Sequence, residues 1–143
     1  MASVLDYGIS KDLGDEVVYV PVKASETWEA GSFVDLDASG DLQACDAGDV
    51  PYGVTVARLQ TEDSPATDGA VDAGVFVGGN NIYAFPPDTG TVTRALVGKK
   101  MDVGGAQSVD IDASTDGALL CVDVDVDKNL VYVQLVPSAA AGV

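Results

Sequence analysis

The sequence predicts an all-β protein, a small β-barrel or β-sandwich with an extended N-terminal arm. Short β-rich runs are broken repeatedly by Gly, Pro, Asp and Asn. No segment keeps the apolar period of a helix over about eleven or more positions. The acidic residues are mostly aspartate, a poor helix former that is common in turns. Together these observations leave room for at most a short helical turn.

A chain of 143 residues is most simply one domain, because at this size folding buries roughly two thirds of the surface of the unfolded chain. We assign residues 1–15 to the extended arm, residues 16–137 to the β domain and residues 138–143 to a small-residue tail. The stretch "SVLDYGI" of the arm carries the apolar side chains of Val4, Leu5, Tyr7 and Ile9. Since the arm is too short to fold alone, we expect it to dock on a neighbouring chain.

Nine segments of the domain are predicted as strands: 17–22, 32–37, 52–59, 73–77, 82–85, 91–97, 107–112, 118–126 and 130–136. The stretch "GGNN" at 78–81 reads as a tight turn, because Gly and Asn tolerate positive φ. A second turn is predicted at "PPDTG", residues 86–90. The polar stretch 59–74 is predicted to be a surface loop.

The stretch "CVDVDVDKNLVYVQLV" at 121–136 places aspartates at every second position. A Ca²⁺ loop would need Gly at its sixth position and an acidic residue at its twelfth, where Lys128 and Gln134 stand. The alternation instead predicts a half-buried strand, with Leu120, Val122, Val124 and Val126 on one face and Cys121, Asp123, Asp125 and Asp127 on the other. A turn at 127–129 and a second strand would complete a β-hairpin with an acidic outer face.

An internal repeat is visible in the chain. "VDLDASGDLQAC" at 34–45 recurs as "VDIDASTDGALLC" at 109–121, with one additional residue in the second copy. Each copy alternates apolar residues with Asp, passes through a polar turn and ends near a cysteine. The pattern predicts two equivalent β-hairpins that arose by duplication. The alternative is convergent turn chemistry, because the same residue types suit any hairpin.

The first copy is the best candidate for a metal site. Six residues fall at positions one, three, five, six, seven and twelve of a Ca²⁺ loop, namely Asp35, Asp37, Ser39, Gly40, Asp41 and Asp46. The flanks read as strands rather than helices, and the short Asp at position twelve chelates less readily than Glu. In the second copy Thr115 replaces the glycine. We therefore expect a hairpin turn here, with no tight Ca²⁺ site, no other metal and no cofactor.

The net charge of −16 excludes some partners. Only seven Lys and Arg residues are present, which argues against nucleic acid and against an anionic membrane surface. An aspartate excess with little lysine is typical of proteins from halophilic organisms, and the alternative is an acidic surface that resists aggregation. The first ten residues show no signal-peptide pattern, and no apolar run approaches the ~18 residues of a transmembrane helix.

Catalysis is not expected. The chain has no histidine, which removes the base of most nucleophilic sites and the imidazole ligands of metal sites. Cys45 and Cys121 are too few for a disulfide framework and read as free thiols. Trp28, between two glutamates, reads as a core residue, and the alternative is an exposed anchor for a partner.

The stretch "VKASETWEAGSFVDLDASGDLQACDAGDVPYGVTVA" at 22–57 resembles the capsid cement or head decoration proteins of tailed viruses. The similarity lies in Ala30-Gly31, in the "VDLDASG" hairpin and in Tyr52-Gly53-Val54. "VGKKMDV" at 97–103 and "VYVQLV" at 131–136 also suit the pattern. The resemblance covers most of residues 17–136, and it is a similarity of pattern rather than a diagnostic motif.

This resemblance implies a β-rich structural protein without enzymatic activity, located in the virion on the outer capsid surface. Its implied partners are the major capsid protein and further copies of itself, commonly as a homotrimer. Two alternatives stay open on the residues alone. One is an extracellular carbohydrate- or calcium-binding β module, and the other is a small β-barrel hydrolase or accessory domain.

Overall fold

The structure is a computed structural model that describes residues 8–136. It is all-β, with two antiparallel sheets and two short 3-10 turns, Thr61–Asp63 and Arg94–Leu96. The predicted fold class is therefore confirmed, and the two packed sheets fit a sandwich. Residues 1–7 of the predicted arm and the predicted tail at 138–143 lie outside the described residues.

Eleven strands make up the two sheets. In chain order they are β1 (Gly8–Lys11), β2 (Glu16–Pro21), β3 (Phe33–Leu36), β4 (Leu42–Ala44), β5 (Gly53–Thr55), β6 (Asp72–Val77), β7 (Ile82–Phe85), β8 (Lys100–Gly105), β9 (Ser108–Asp110), β10 (Leu119–Asp125) and β11 (Leu130–Leu135). The first sheet has the order β1-β7-β11-β10-β8-β9, and the second has the order β2-β6-β5-β3-β4.

Each sheet curls so that two strands that are not neighbours in its order approach one another. In the five-stranded sheet, Val22 just after β2 forms a parallel bridge with Leu42 of β4, and the Lys23 N–H donates to the Leu42 carbonyl at 3.0 Å. In the six-stranded sheet, Pro87 just after β7 forms a parallel bridge with Val109 of β9. Curling of this kind is the way in which small sheets cover their apolar faces.

The apolar residues form two clusters. The larger cluster takes side chains from both sheets, and its most buried members include Phe33, Tyr83, Phe85, Met101, Leu119 and Val131. The smaller one lies within the curl of the five-stranded sheet and contains Val20, Val22, Trp28, Val34, Leu42 and Val75. Consecutive side chains of a strand point to opposite faces. Phe33 and Val34 of β3 therefore enter different clusters, which explains two adjacent buried apolar residues.

The domain begins earlier than predicted. Residues 8–11, assigned to a docking arm, form β1 and pair with β7 of the same chain, so this part of the arm interpretation is wrong. Hydrogen bonds of Asp15 and Asn81 hold the loop between β1 and β2 against the turn before β7. The Asn81 side-chain oxygen accepts from the N–H groups of Leu13 and Asp15, and the Asp15 carboxylate accepts from the N–H groups of Asn80 and Asn81.

Two strand predictions need correction. The predicted strand 91–97 is instead a loop with the 3-10 turn, because N–H groups bond within the segment, from Leu96 to the Thr93 carbonyl and from Val97 to the Arg94 carbonyl. The predicted strand 52–59 shortens to Gly53–Thr55. Strand β8 was missed because Lys100, Asp102 and two glycines obscure its apolar alternation.

The predicted second hairpin is also wrong. The first copy of the repeat folds as expected, with β3 paired to β4. In the second copy β9 and β10 are not paired, because β8 lies between them and bonds to both. The connection at 111–118 is drawn towards β8, where the buried Asp102 carboxylate accepts the N–H groups of Thr115, Asp116 and Gly117.

The hairpin of β10 and β11 is confirmed, but its faces differ from the prediction. The register shifts between Cys121 and Asp123, which is a β-bulge. A bulge adds one residue to one strand and so reverses which side chains point inward. Cys121 is consequently buried in the larger cluster, although the alternation placed it on the acidic face with Asp123.

Candidate functional site

The stretch considered as a candidate Ca²⁺ loop is a hairpin turn stabilised by Asp37. One oxygen of its carboxylate accepts the N–H groups of Ser39 at 2.8 Å and Asp41 at 3.0 Å. These hydrogen bonds, led by the one from Asp41, lower the pKa of Asp37. Gly40 has a φ of 86°, which favours glycine and closes the turn. The carboxylate of Asp37, at position three of the candidate Ca²⁺ loop, thus accepts backbone hydrogen bonds within the turn.

Asp35 lies within β3, before this turn, and meets different residues. Its carboxylate, the thiol of Cys45 and the carboxylate of Asp49 each place one donor atom within 4.8 Å of the other two. We call these three residues the Asp35 cluster. Strand β3 supplies Asp35, Cys45 follows directly after β4, and Asp49 stands in the next loop. Asp37 and Asp46, which the sequence placed in one ligand set with Asp35, do not belong to this group.

The Asp35 cluster is partly buried and acidic. Cys45 is 3% exposed, and one carboxylate oxygen of Asp35 is buried without a hydrogen-bond partner. Burial raises the pKa of Asp35, with smaller contributions from the charges of Asp49 and Asp46, against a hydrogen bond from Gln43 that lowers it. Burial also raises the pKa of the Cys45 thiol, and the same three carboxylates add to this effect.

The loop that carries Asp49 is closed by a hydrogen bond of its own and is bonded to the six-stranded sheet. The Asp46 N–H donates to the Asp49 carboxylate at 2.8 Å, and the Gly48 N–H donates to the Val103 carbonyl of β8 at 2.8 Å. Gly48 has a φ of 84°, which a side chain would strain. Asp49 is the functional candidate that sequence analysis missed. The signal available was the short spacing "CDAGD", in which a glycine turns the chain back between Cys45 and Asp49.

The second repeat copy has no equivalent cluster in the described residues. Cys121 lies in the larger apolar cluster, and its Sγ is 3.3 Å from the Asp123 carbonyl. Asp110 accepts the N–H of Asp112 at 3.0 Å and serves the turn. Both cysteines are free thiols, as predicted. The two copies therefore share a sequence pattern without sharing a site.

The three alternating aspartates line an open groove on the outer face of the six-stranded sheet. The groove has a volume of about 500 Å³, and its walls include Lys11, Arg94, Asp123, Asp125, Asp127 and Tyr132. Arg94 forms an exposed ion pair with Asp123 at 3.1 Å. Asp125 accepts the N–H of Lys128 at the hairpin turn. An exposed ion pair such as the one between Arg94 and Asp123 contributes little to the stability of the fold.

An exposed apolar row crosses the five-stranded sheet. Tyr19 of β2 lies opposite Gly74 of β6, and the Val56 N–H donates to the Gly74 carbonyl. Tyr19 is 73% exposed, and Val17 and Val56 are also exposed. A side chain at Gly74 would contact Tyr19 and Val17, so the glycine leaves space for them. We call Val17, Tyr19 and Val56 the β2 row.

Trp28 is a core residue, as the sequence favoured. It is 6% exposed within the smaller cluster, and its backbone bonds to Leu59 in both directions. Its indole N–H is buried and makes no hydrogen bond within the described residues. Glu29 and Glu62 line a small cleft beside it. Trp28 is consequently not available as an exposed anchor.

Neither protein-family models nor curated proteins gave a match to this chain. Within residues 8–136, no helix is long and apolar enough to cross a membrane. The features of the molecule that bear on its function are the Asp35 cluster, the outer groove, the β2 row and the acidic surface.

Proposed function

We propose that this protein is a structural virion protein, a cement or decoration protein that binds the outer surface of an icosahedral capsid and stabilises it. The observation that carries the proposal is the β2 row. An acidic chain that leaves Tyr19 largely exposed, beside Val17 and Val56, presents an apolar surface suited to a protein partner. The resemblance of 22–57 to cement proteins supports a capsid protein as that partner.

The β2 row fits a contact between copies of this chain. Val17 and Tyr19 of the row lie on β2, the outer strand of the five-stranded sheet, and tyrosine is enriched at the centres of protein interfaces. Three copies that place their Tyr19 side chains around a common threefold axis would bury apolar surface without pairing like charges. We assign the row to the subunit contact of a homotrimer.

The contact with the major capsid protein is assigned to the N-terminal residues. Strand β1 is at the edge of its sheet and pairs on one side with β7, and residues 1–7 precede it. Apolar Val4, Leu5 and Tyr7 suit strand addition to a neighbour. Because many copies bind one shell, modest contacts for each copy are sufficient.

Deletion of residues 2–7 tests the capsid assignment while it leaves β1 intact. The truncated protein and the full-length protein are mixed with undecorated shells of the source virus at molar NaCl. We expect the full-length protein to decorate the shells and raise their resistance to heat, and the truncated protein to lose occupancy. Unchanged occupancy of the truncated protein would move the anchor elsewhere. Failure of the full-length protein to bind would reject the cement function.

The trimer assignment has its own test in Tyr19→Ser. Sedimentation in molar NaCl should give a homotrimer for the unaltered chain and a smaller species for the variant. Tyr52→Ser is a matched control, because Tyr52 is a partly exposed tyrosine outside the β2 row. If the unaltered chain sediments as a monomer at all concentrations, the assignment of the β2 row to a subunit contact is wrong.

The outer groove favours a second candidate, an extracellular carbohydrate- or calcium-binding β module. Tyr132 beside three aspartates is a combination that sugar sites use, with an apolar ring and carboxylate acceptors. A module of this class should bind immobilised glycans or melt at a Ca²⁺-dependent temperature. Binding that disappears in Tyr132→Ala would favour the module over the cement protein.

A further inference from the structure

We propose that Asp35, Cys45 and Asp49 bind a thiophilic divalent metal ion, with Zn²⁺ the expected occupant. This inference is independent of the cement function. It also differs from the Ca²⁺ loop considered in the sequence, because Asp37 and Asp46 are replaced by Cys45 and Asp49. The site combines one sulfur and two carboxylate oxygens.

The spacing of the donor atoms is close to what such a site needs. In a tetrahedral Zn²⁺ site the ligand atoms are roughly 3.3–3.8 Å apart, given metal–ligand bonds of about 2.0–2.3 Å. The three donor atoms of the Asp35 cluster already lie within 4.8 Å of one another. Small rotations of two aspartate side chains would close the remaining difference. Asp35 and Asp49 are only half-buried, so water can supply the fourth ligand.

Two atoms of the cluster are buried and make no hydrogen bond, the Cys45 sulfur and one oxygen of Asp35, which separates this cluster from an ordinary acidic surface patch. Cys45 is 3% exposed, and its Sγ takes part in none of the hydrogen bonds within residues 8–136. One oxygen of Asp35 is buried and also lacks a partner. Buried polar atoms are normally satisfied, and an orphaned carboxylate oxygen beside an unpartnered thiol is suited to a cation. A purely structural cluster would be expected to bond internally.

The charge around the cluster points to the same ligand. The charged neighbours that act on Asp35 are Asp49 and Asp46, and those that act on Cys45 are Asp35, Asp49 and Asp46. All of them are acidic and repel one another. A divalent cation would turn this repulsion into attraction.

The sulfur ligand selects the metal. Thiolate ligands favour Zn²⁺ and similar ions, whereas Ca²⁺ and Mg²⁺ prefer sites built of oxygen alone. Binding converts the Cys45 thiol to a thiolate: the S–H bond breaks, the S–Zn bond forms, and one proton leaves to solvent. Affinity should therefore rise with pH.

Metal binding would join three parts of the fold. Asp35 belongs to β3, Cys45 follows β4, and Asp49 is on the loop whose Gly48 N–H donates to β8 of the other sheet. An ion bound at this point would hold the β3–β4 hairpin to that loop. We expect a higher melting temperature in the presence of the metal, because a ligand that binds the folded chain stabilises it.

Co²⁺ is the probe, because a cobalt–thiolate bond gives a charge-transfer absorption that carboxylate binding on the acidic surface does not. Chelator-treated reduced protein is titrated with Co²⁺ at neutral pH, and Zn²⁺ is then added in competition. We expect a band that saturates at one ion per chain and disappears when Zn²⁺ displaces the cobalt. A chain that gives no such band would overturn the proposal.

Variants identify the ligands. Cys45→Ser should abolish the band, and Asp49→Asn should weaken Co²⁺ binding at least about tenfold while its amide oxygen keeps the bond from the Asp46 N–H. Cys121→Ser is the thiol control and Asp112→Asn the carboxylate control, and both should bind as the unaltered chain does. If Cys45→Ser fails to fold, the strength of Co²⁺ binding to Asp49→Asn still tests the site. A band that depends on Cys121, or is unchanged in Asp49→Asn, would contradict the site.

Discussion

The carboxylate of Asp102 accepts the backbone N–H of Gly117 at 2.9 Å, across fifteen residues of chain. The same side chain also accepts the N–H groups of Thr115 and Asp116, at 3.1 and 3.0 Å. Asp102 is 5% exposed, yet it belongs to β8. A buried carboxylate with three N–H donors is well satisfied. This residue therefore holds the connection between β9 and β10 against the sheet.

Asp102→Ala should destabilise the protein. The substitution leaves three partly buried N–H groups without an acceptor, and we expect a loss of about 2–4 kcal/mol in the free energy of unfolding. Urea unfolding in molar NaCl measures this loss. Asp112→Ala, an exposed aspartate of the same connection, is the control and should change stability by less than about 0.5 kcal/mol. Equal effects of the two variants would contradict the assigned role.

Gly53 is the second position where the fold allows little change. A Cβ at this residue would collide with the Phe76 carbonyl oxygen and the Val75 side chain, and the backbone atom cannot move without disturbing the pairing of β5 and β6. We expect Gly53→Ala to cost about 3 kcal/mol. At Gly74 on the neighbouring strand a Cβ would meet the exposed Tyr19 ring, which can rotate. Gly74→Ala should consequently change stability by less than about 1 kcal/mol, and thermal melting compares the two variants.

The sequence could predict strands from local alternation and two hairpins from their turns, but not the pairing of strands that are distant in the chain. The two repeat copies show this limit. In the first copy the turn residues lie between paired strands, whereas in the second the buried Asp102 draws the connection away and β8 enters between β9 and β10. Pairing of this kind depends on residues distant in the chain. The alternation of apolar and polar residues within one strand carries no information on which strand will be its partner.

The candidate site shows the same limit. Sequence spacing placed Asp35 with Asp37 and Asp46, because a calcium loop requires those positions. In the hairpin, Asp35 belongs to β3, whereas the Asp37 carboxylate accepts the N–H groups of Ser39 and Asp41 in the turn. Asp35 instead meets Cys45, which β4 brings alongside it, and Asp49 from the next loop. The bulge at Cys121 similarly changed which side chains point inward, and no local pattern marks it.

Asp35→Asn should stabilise the metal-free protein at neutral pH. The pKa of Asp35 is raised from 3.8, so the folded chain holds this proton more tightly than the unfolded chain does. The contribution of Asp35 to stability is therefore complete below pH 3.8 and is lost as the pH rises through the raised value. At neutral pH the ionised, partly buried carboxylate opposes folding, and the amide removes that charge. Urea unfolding at pH 7 and at pH 3.5, with chelator present, measures the difference.

Asp37→Asn is the matched control, and it should have the opposite sign. The pKa of Asp37 is lowered by its hydrogen bonds, so its contribution to stability is present above pH 3.8 and is lost as the pH falls through the lowered value. We expect this variant to be less stable than the unaltered chain at pH 7. A metal-free Asp35→Asn variant that is also less stable at pH 7 would show that Asp35 supports the fold rather than strains it.

Salt should stabilise the protein over a wide range. With a net charge of −16 on 143 residues, the folded chain concentrates carboxylates whose repulsion opposes compaction. The screening length falls from about 10 Å at 0.1 M salt to about 3 Å at 1 M, so the melting temperature should rise steadily as NaCl increases to molar concentration. A variant with Asp112, Asp116 and Asp127 changed to Asn should show a smaller rise, because these exposed residues carry part of the repulsion. If the melting temperature is flat or falls over this range, the halophilic interpretation of the acidic surface is wrong.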